Sequence, residues 1–250
     1  MSIVASYSLT DVEIRQFDAQ GYLGPFAAVS PEKMREMDQI IEEQVFGTEG
    51  PSPGKRMQSR HMDCPIVYEV ASRPEIVDRV ASLFGPDLIL WATYFFNKEP
   101  GGKEIPWHQD LNYWPLEPLI NISAWIAVDE ATLENSCVQI IPGSHRKAIP
   151  HISTPHEAEF AEMADPSYFD ASQAIPMELR PGEFFLFNEK TLHFSEKNRS
   201  QRRRRGMTMR VTLPIVRINQ EQPPLHPGHR AVLLRGEDRM GFNRLCDAPC

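Results

Sequence analysis

From Gly85 onward the chain is a succession of short apolar and aromatic segments, each cut off within a few residues by Pro, Gly or Asn. This texture constrains the fold most. DLILWATYFF, INISAWIAVD, VQIIPGSH, QAIPMELR, EFFLFN and MTMRVTLPIVRI are rich in β-branched and aromatic residues and too short for bundle helices. The 22 prolines in 250 residues point the same way, because each removes a backbone donor and favours turns over long helices. Before Gly85 the pattern is helical. Thr10 and Glu13 make a capping box ahead of Val12, Ile14 and Phe17. Ser30-Pro31 opens a second helix with Met34, Met37, Ile41 and Val45 on one stripe. A third, from about 74 to 84, carries Ile76, Val80 and Leu83 and stops at Gly85. HEAEFAEMAD reads as a short helical patch among the strands, and residues 219–250 read as an irregular tail. The expectation is one domain over 1–250: a helical part (10–85), a β-barrel core (about 86–218) and the tail. Its class is mainly β with flanking helices, an antiparallel barrel or sandwich.

A net charge of -8 gives no general attraction to nucleic acid or an anionic membrane. No apolar run reaches the roughly 18 residues of a membrane span. The opening MSIVASYSLTDVEIR has no basic stretch before an apolar one and does not read as a signal peptide. Cys64, Cys137, Cys246 and Cys250 are scattered, which fits free thiols in a reducing cytosol. The expected partner is a small molecule in the cytoplasm; oligomeric state is not legible.

The chemistry is concentrated in IPWHQDLNYWPL. His108 and Asp110 are two apart, so in an extended segment both leave the same face. An imidazole and a carboxylate suit a divalent metal of intermediate hardness, and LFNEKTLHFSEKN offers His193 as a third ligand from another strand. Two histidines and one carboxylate on one face of an octahedron leave three positions open, the arrangement of non-haem Fe(II) oxygenases. His-x-Asp alone is common on surface loops, so the pair needs support from the rest of the sequence.

That support comes from three runs in order: NKEPGGKEIPWHQDLNYWPL, AWIAVDEATLENSCVQIIPGSH and TLHFSEKNRSQRRRRGMTMR. Over roughly residues 90 to 215 the chain resembles the phytanoyl-CoA dioxygenase (PhyH-like) family, which includes hydroxylases of amino acids and natural products and related halogenases. Ser136 departs from the glycine the family often has after the asparagine of LENS, a difference that concerns only a turn. The resemblance implies a double-stranded β-helix (jelly roll, cupin-like), Fe(II), 2-oxoglutarate and O2. It makes His108, Asp110 and His193 the metal ligands, and Arg204, eleven residues past His193, the partner of the far carboxylate of 2-oxoglutarate. Ser195 is that carboxylate's hydroxyl partner by the same resemblance. A guanidinium suits the task, since it makes two-pronged charged hydrogen bonds. Arg210 shares Arg204's face of a strand and is a further cosubstrate candidate.

The implied reaction is hydroxylation of an unactivated C–H bond of a small molecule, releasing succinate and CO2. Halogenation is the near alternative, and Asp110 argues against it because the halogenases lack that carboxylate. Desaturation, cyclisation or epimerisation depend on substrate pose. A non-catalytic cupin-like metal-binding module is the alternative outside enzymes. Trp114, Tyr94 and Tyr113 are candidate substrate walls and equally good core or rim aromatics. Trp125 reads as packing and His145 as a turn residue. His61, His151, His156, His226 and His229 have no partner at ligand spacing. Arg60, Arg202, Arg203 and Arg205 read as solvated charges or as a greeting for an anionic group.

Overall fold

A computed structural model of the chain describes residues 7–155 and 157–250; His156 and the first six residues lie outside the described part. Four helices come before the barrel: α1 (Asp11–Gln20), α2 (Pro31–Ile41), α3 (Pro65–Ala71) and α4 (Pro74–Phe84). Thr10 and Glu13 exchange both capping-box bonds, and Gly21 closes α1 at a φ of 77° that only glycine takes without strain. Ser30 caps α2, whose Met34, Met37 and Ile41 are buried as the stripe requires, and a π-helical turn over Glu42–Phe46 continues the stripe to Val45. The seven-residue α3 is too short to carry a periodic signal, yet it buries Ile66, Val67 and Val70.

The strands are β1 (Tyr22–Ala27), β2 (Leu88–Lys98), β3 (Ile105–His108), β4 (Leu116–Glu117), β5 (Ile122–Ala127), β6 (Val138–Ile140), β7 (His151–Ser153), β8 (Glu162–Ala164), β9 (Ile175–Met177), β10 (Glu183–Asn188), β11 (His193–Ser195), β12 (Arg204–Thr212), β13 (Arg217–Ile218), β14 (Ala231–Arg235) and β15 (Leu245–Cys246). They form a seven-stranded sheet in the order β1-β10-β5-β12-β2-β14-β15 and a four-stranded sheet in the order β3-β11-β6-β9, with two small pairs, β4 with β13 and β7 with β8. Strand alternation divides the large sheet between two cores. Ile122, Ala124, Ile126, Phe184 and Leu186 pack with the helices, whereas Trp125, Phe185 and Phe187 pack with Val138, Ile140 and Met177 of the small sheet. The result is a double-stranded β-helix.

Two expectations are corrected. HEAEFAEMAD is not helical: beyond His156 it holds a loop and β8, which pairs antiparallel with β7. Its alanines and glutamates favour helix intrinsically, but it lacks an apolar stripe, and the hairpin places Phe160 against His108 instead, at 4.9 Å between ring centroids. The tail is not irregular throughout either. Its β14 pairs with β2 and its β15 with β14, so they extend the large sheet. The N-terminal part also contributes a strand, because β1 covers the other edge by pairing with β10.

Candidate metal centre and its cavity

β3 and β11 are antiparallel neighbours in which His108 and His193 stand directly opposite each other. β3 ends at His108, and a 3-10 turn beginning at Asp110 swings its carboxylate back over the pair. The ligand atoms of His108, Asp110 and His193 lie within 4.8 Å of one another. The Nε2 atoms of His108 and His193 stand 3.7 and 3.9 Å from Asp110 Oδ1. Nδ1 of His108 donates to the Pro106 carbonyl at 2.8 Å and Nδ1 of His193 to the Thr191 carbonyl at 2.9 Å. Those bonds fix the tautomer that leaves both Nε2 lone pairs bare toward the carboxylate. Burial, with His193 beside it, pushes the His108 pKa well below the usual histidine range, so the ring is held neutral. Neutral imidazole nitrogens and a carboxylate, converging on one point, fit a divalent metal ion.

Gln109, between the two ligands, escaped the sequence reading although it is fully buried. Its amide donates to the carbonyls of Lys147 (2.8 Å) and Lys190 (2.6 Å), and its Oε1 accepts from the Ile149 amide (2.8 Å). Its backbone N–H donates to His151 Nε2 at 3.2 Å. Two distant chain segments, 147–151 and the turn at Lys190, are therefore tied to the residue that separates His108 from Asp110. No sequence signal marks Gln109, because its partners come from distant loops.

The cluster opens into a cavity of about 400 Å³ between the sheets, lined by His108, Asp110 and His193 and by Ser195, Arg204, Arg210, Tyr94, Tyr113 and Trp114. All nine residues singled out in the sequence thus border one space. Trp125, read as packing, borders it too. Its indole lies under Arg204, 5.4 Å from the guanidinium carbon. Gly206 makes this possible, since a Cβ there would fall 2.1 Å from the ring.

The arginine run sorts by strand alternation. Arg204 points inward and is 1% exposed; its Nε donates to the Ser136 carbonyl at 3.0 Å, while Nη2 has no partner among the described residues. Arg203 and Arg205 face the other way and are not the solvated charges expected. Both clasp Asp38 of α2 at 2.7 Å, and Arg205 also takes Glu42 at 2.6 Å. Only Arg202 keeps the exposed role, with Glu130 and Glu134. Arg60 is also structural, since it bonds Asp63 and the carbonyls of Gln44 and Val45. His145 is the turn residue expected, its Nε2 donating to the Asp18 carbonyl.

Lys98 was not foreseen. It pairs across strands with Arg204, and its ammonium donates to Ser195 Oγ at 2.8 Å, Ser136 Oγ at 3.0 Å and the Ser195 carbonyl at 3.0 Å. Burial, then Arg204, pushes its pKa down to about 6. Because Ser195 Oγ accepts from Lys98, its own proton is free to point into the cavity. Ser195, with the unpaired Nη2 of Arg204, makes an end of the cavity suited to a carboxylate.

A double-stranded β-helix with a two-histidine, one-carboxylate cluster facing such an end has the make-up of the non-haem iron, 2-oxoglutarate-dependent oxygenases. The family model "Phytanoyl-CoA dioxygenase (PhyH)" matches residues 17–206, and the chain belongs to this family of dioxygenases, which use Fe(II), 2-oxoglutarate and O2. A probable phytanoyl-CoA dioxygenase of Caenorhabditis elegans is 28% identical over 72% of this chain and 61% of its own length. Dioxygenase lolE1 of Epichloe uncinata is 33% identical over 49% of this chain, which spans 45% of it. Among solved structures, CytC3 with Fe(II) and alpha-ketoglutarate superposes with a TM-score of 0.76 at 28% identity, covering 97% of this chain and 94% of that one. The carbocyclase SnoK shares the fold at 20% identity and a TM-score of 0.69, over 88% of this chain and 89% of its own.

Proposed function

We propose that the protein is a hydroxylase of a small molecule, with His108, Asp110 and His193 as iron ligands. 2-Oxoglutarate would be held by Arg204 and Ser195, with Lys98 behind them. One observation carries the reading: a triad with bare nitrogens and a buried guanidinium with an unpaired Nη2 border the same cavity. A metal store needs no such guanidinium, so a non-catalytic module explains less of the site.

When bound, iron with 2-oxoglutarate and dioxygen would supply the oxidising power, turning the keto acid into succinate and CO2, with one oxygen atom going to succinate and the other into a C–H bond. The chain's own residues do the rest. His108, Asp110 and His193 would hold the metal from one side and leave room beside it for exogenous ligands. Arg204 and Ser195 set the far carboxylate and so orient the keto acid. Phe160, Phe187 and Trp125 keep the space poor in water, which strengthens each charged contact within it. Asp110 occupies the position that a halide would need, which favours hydroxylation over halogen transfer. Tyr94, Tyr113 and Trp114 are the walls against which substrate would lie.

Two measurements test this. Anaerobic addition of Fe(II) and 2-oxoglutarate is expected to give a metal-to-ligand charge-transfer band at about one iron per chain. Arg204→Met should raise the 2-oxoglutarate requirement by about ten- to hundredfold, the cost of one lost charged hydrogen-bond pair, and leave iron affinity nearly intact. Tight zinc binding with no band at any iron loading would overturn the reading.

A further inference from the structure

Of the two cationic residues of the cavity that these assignments leave unused, Lys55 is exposed and Arg210 lies inside. It follows Arg204 by six positions on the inward face of β12, roughly 20 Å along the strand, so it cannot share the carboxylate assigned to Arg204 without folding back past the metal cluster. Its guanidinium lies 4.9 Å from the centre of the Trp114 ring. Its Nε is buried without a partner, and among the described residues no acid pairs with it and no group accepts a hydrogen bond from its side chain. Asp110 does not serve, because the groups within ion-pair distance of its carboxylate are the two histidines. The fully buried arginines contrast with Arg210, which is half-buried with its Nε shut off from water: Arg60 has Asp63 and two carbonyls, Arg205 has Asp38 and Glu42, and Arg204 has the Ser136 carbonyl. A guanidinium withdrawn from water and left unpaired is costly unless a ligand completes it.

Charge balance says what that ligand is. A metal dication and Arg204 are matched by Asp110 and the two carboxylates of 2-oxoglutarate, the exposed Lys55 and Glu159 of the lining offset each other, and burial leaves Lys98 largely neutral, so Arg210 brings one positive charge in excess. The cavity it shares has flat, apolar walls in Tyr94, Phe96, Tyr113, Trp114 and Phe160, of which Trp114 lies against Arg210 itself. A cavity of about 400 Å³ that also seats 2-oxoglutarate leaves room for a small molecule only.

We propose that the substrate is a small carboxylic acid with a flat or aromatic body, its carboxylate paired with Arg210 and its body lying among Tyr94, Tyr113, Trp114 and Phe160. The proposal rests on the hydroxylase reading for the position of 2-oxoglutarate, and it makes Arg210 a substrate-selecting residue instead of a cosubstrate one.

The test uses three carboxylates and their neutral amides: benzoate and benzamide, 3-phenylpropanoate and 3-phenylpropanamide, cyclohexanecarboxylate and its amide. Binding to the protein loaded with Fe(II) and 2-oxoglutarate is measured by calorimetry without dioxygen, beside the shift of the charge-transfer band. At least one acid should bind about tenfold or more tightly than its amide. Arg210→Met should erase that preference and change 2-oxoglutarate affinity less than about twofold, and Arg210→Lys should restore part of it. Arg210→Met should also raise the melting temperature of the unliganded protein, since it removes a guanidinium whose Nε is buried without a partner. The proposal is overturned if no acid outbinds its amide, if no probe binds at all, or if Arg210→Met lowers the melting temperature. It is equally overturned if Arg210→Met weakens 2-oxoglutarate as much as Arg204→Met does, which would place Arg210 on the cosubstrate. Absence of the band with calorimetric acid preference intact would instead strike at the iron reading alone.

Discussion

Two groups of histidines are buried in this barrel, one with a carboxylate among them and one without. His108 and His193 turn bare Nε2 atoms toward Asp110. His61, His226 and His229 also lie close, with ring centroids 6.2 Å apart for His61–His229 and 5.8 Å for His226–His229. Here, however, nitrogens are directed to separate partners. His229 Nε2 donates to the Trp91 carbonyl at 2.8 Å, and His61 Nδ1 meets Thr93 Oγ1 at 3.2 Å. Histidine density does not make a metal centre. What makes one is a second hydrogen bond on each ring that aims the free lone pairs at one point, and an anion to receive the charge. The second group reads as a pin between the 3-10 turn at Arg60–Met62, β2 and the C-terminal segment.

This contrast breaks most easily at Asp110. Asp110→Ala should abolish most iron binding and nearly all turnover, whereas His61→Gln should leave one iron per chain. Product analysis by mass spectrometry with chloride present should find no chlorinated product from either protein, because a halide site also needs supporting donors and substrate placement. Chlorinated product from the unmodified protein, or full hydroxylation by Asp110→Ala, would remove Asp110 from the ligand set.

Acid should separate the groups next. Burial, then His229, pushes the His61 pKa down to about 3, and burial pushes His229 to about 4, both below the ordinary 6.5. The unfolded chain therefore takes up protons that the folded chain refuses. The stability these rings contribute is present above pH 6.5, declines as pH falls below it, and is lost as pH passes through about 4 and then 3. Denaturant unfolding at pH 5 should show a loss of about 2 kcal/mol per histidine relative to pH 7.5. His61→Gln should flatten that slope; an unchanged slope would contradict the assignment. The smallest effect belongs to the exposed Arg202, where Arg202→Met should leave both the 2-oxoglutarate requirement and the unfolding midpoint essentially unchanged.

What was legible in the sequence was local. The spacing of His108 and Asp110, the Thr10–Glu13 cap, the α2 stripe and the strand alternation that sets Arg204 and Arg210 on one face all depend on neighbours along the chain. His193 could only be offered as a third ligand, and Arg204 and Ser195 needed the family resemblance, because the pairing of β11 with β3 and of β12 with β2 is what brings them together. Gln109 and Lys98 gave no signal: each gains its meaning from oxygens dozens of residues away. The His61–His229 group was invisible for the same reason. The 157–164 segment misled because helix propensity carries no information about where Phe160 will find a partner. β14 and β15 were missed because short edge strands need little hydrophobic pattern when a ready edge accepts them.

The tight fit of Gly206 against the Trp125 ring has a consequence for how the barrel assembles. A run of four arginines, 202–205, is nearly blind to its own alignment: slide β12 by one residue and an arginine would still face α2 and another would still face the cavity. Charge alone therefore cannot choose between the two settings. Glycine can, because it is the residue in this stretch that leaves space for the indole, and a slipped strand would drive Arg205 or Met207 into that ring. Gly206 thus acts as a key cut for one lock position, selecting during folding which of four identical side chains becomes the one that faces the cavity.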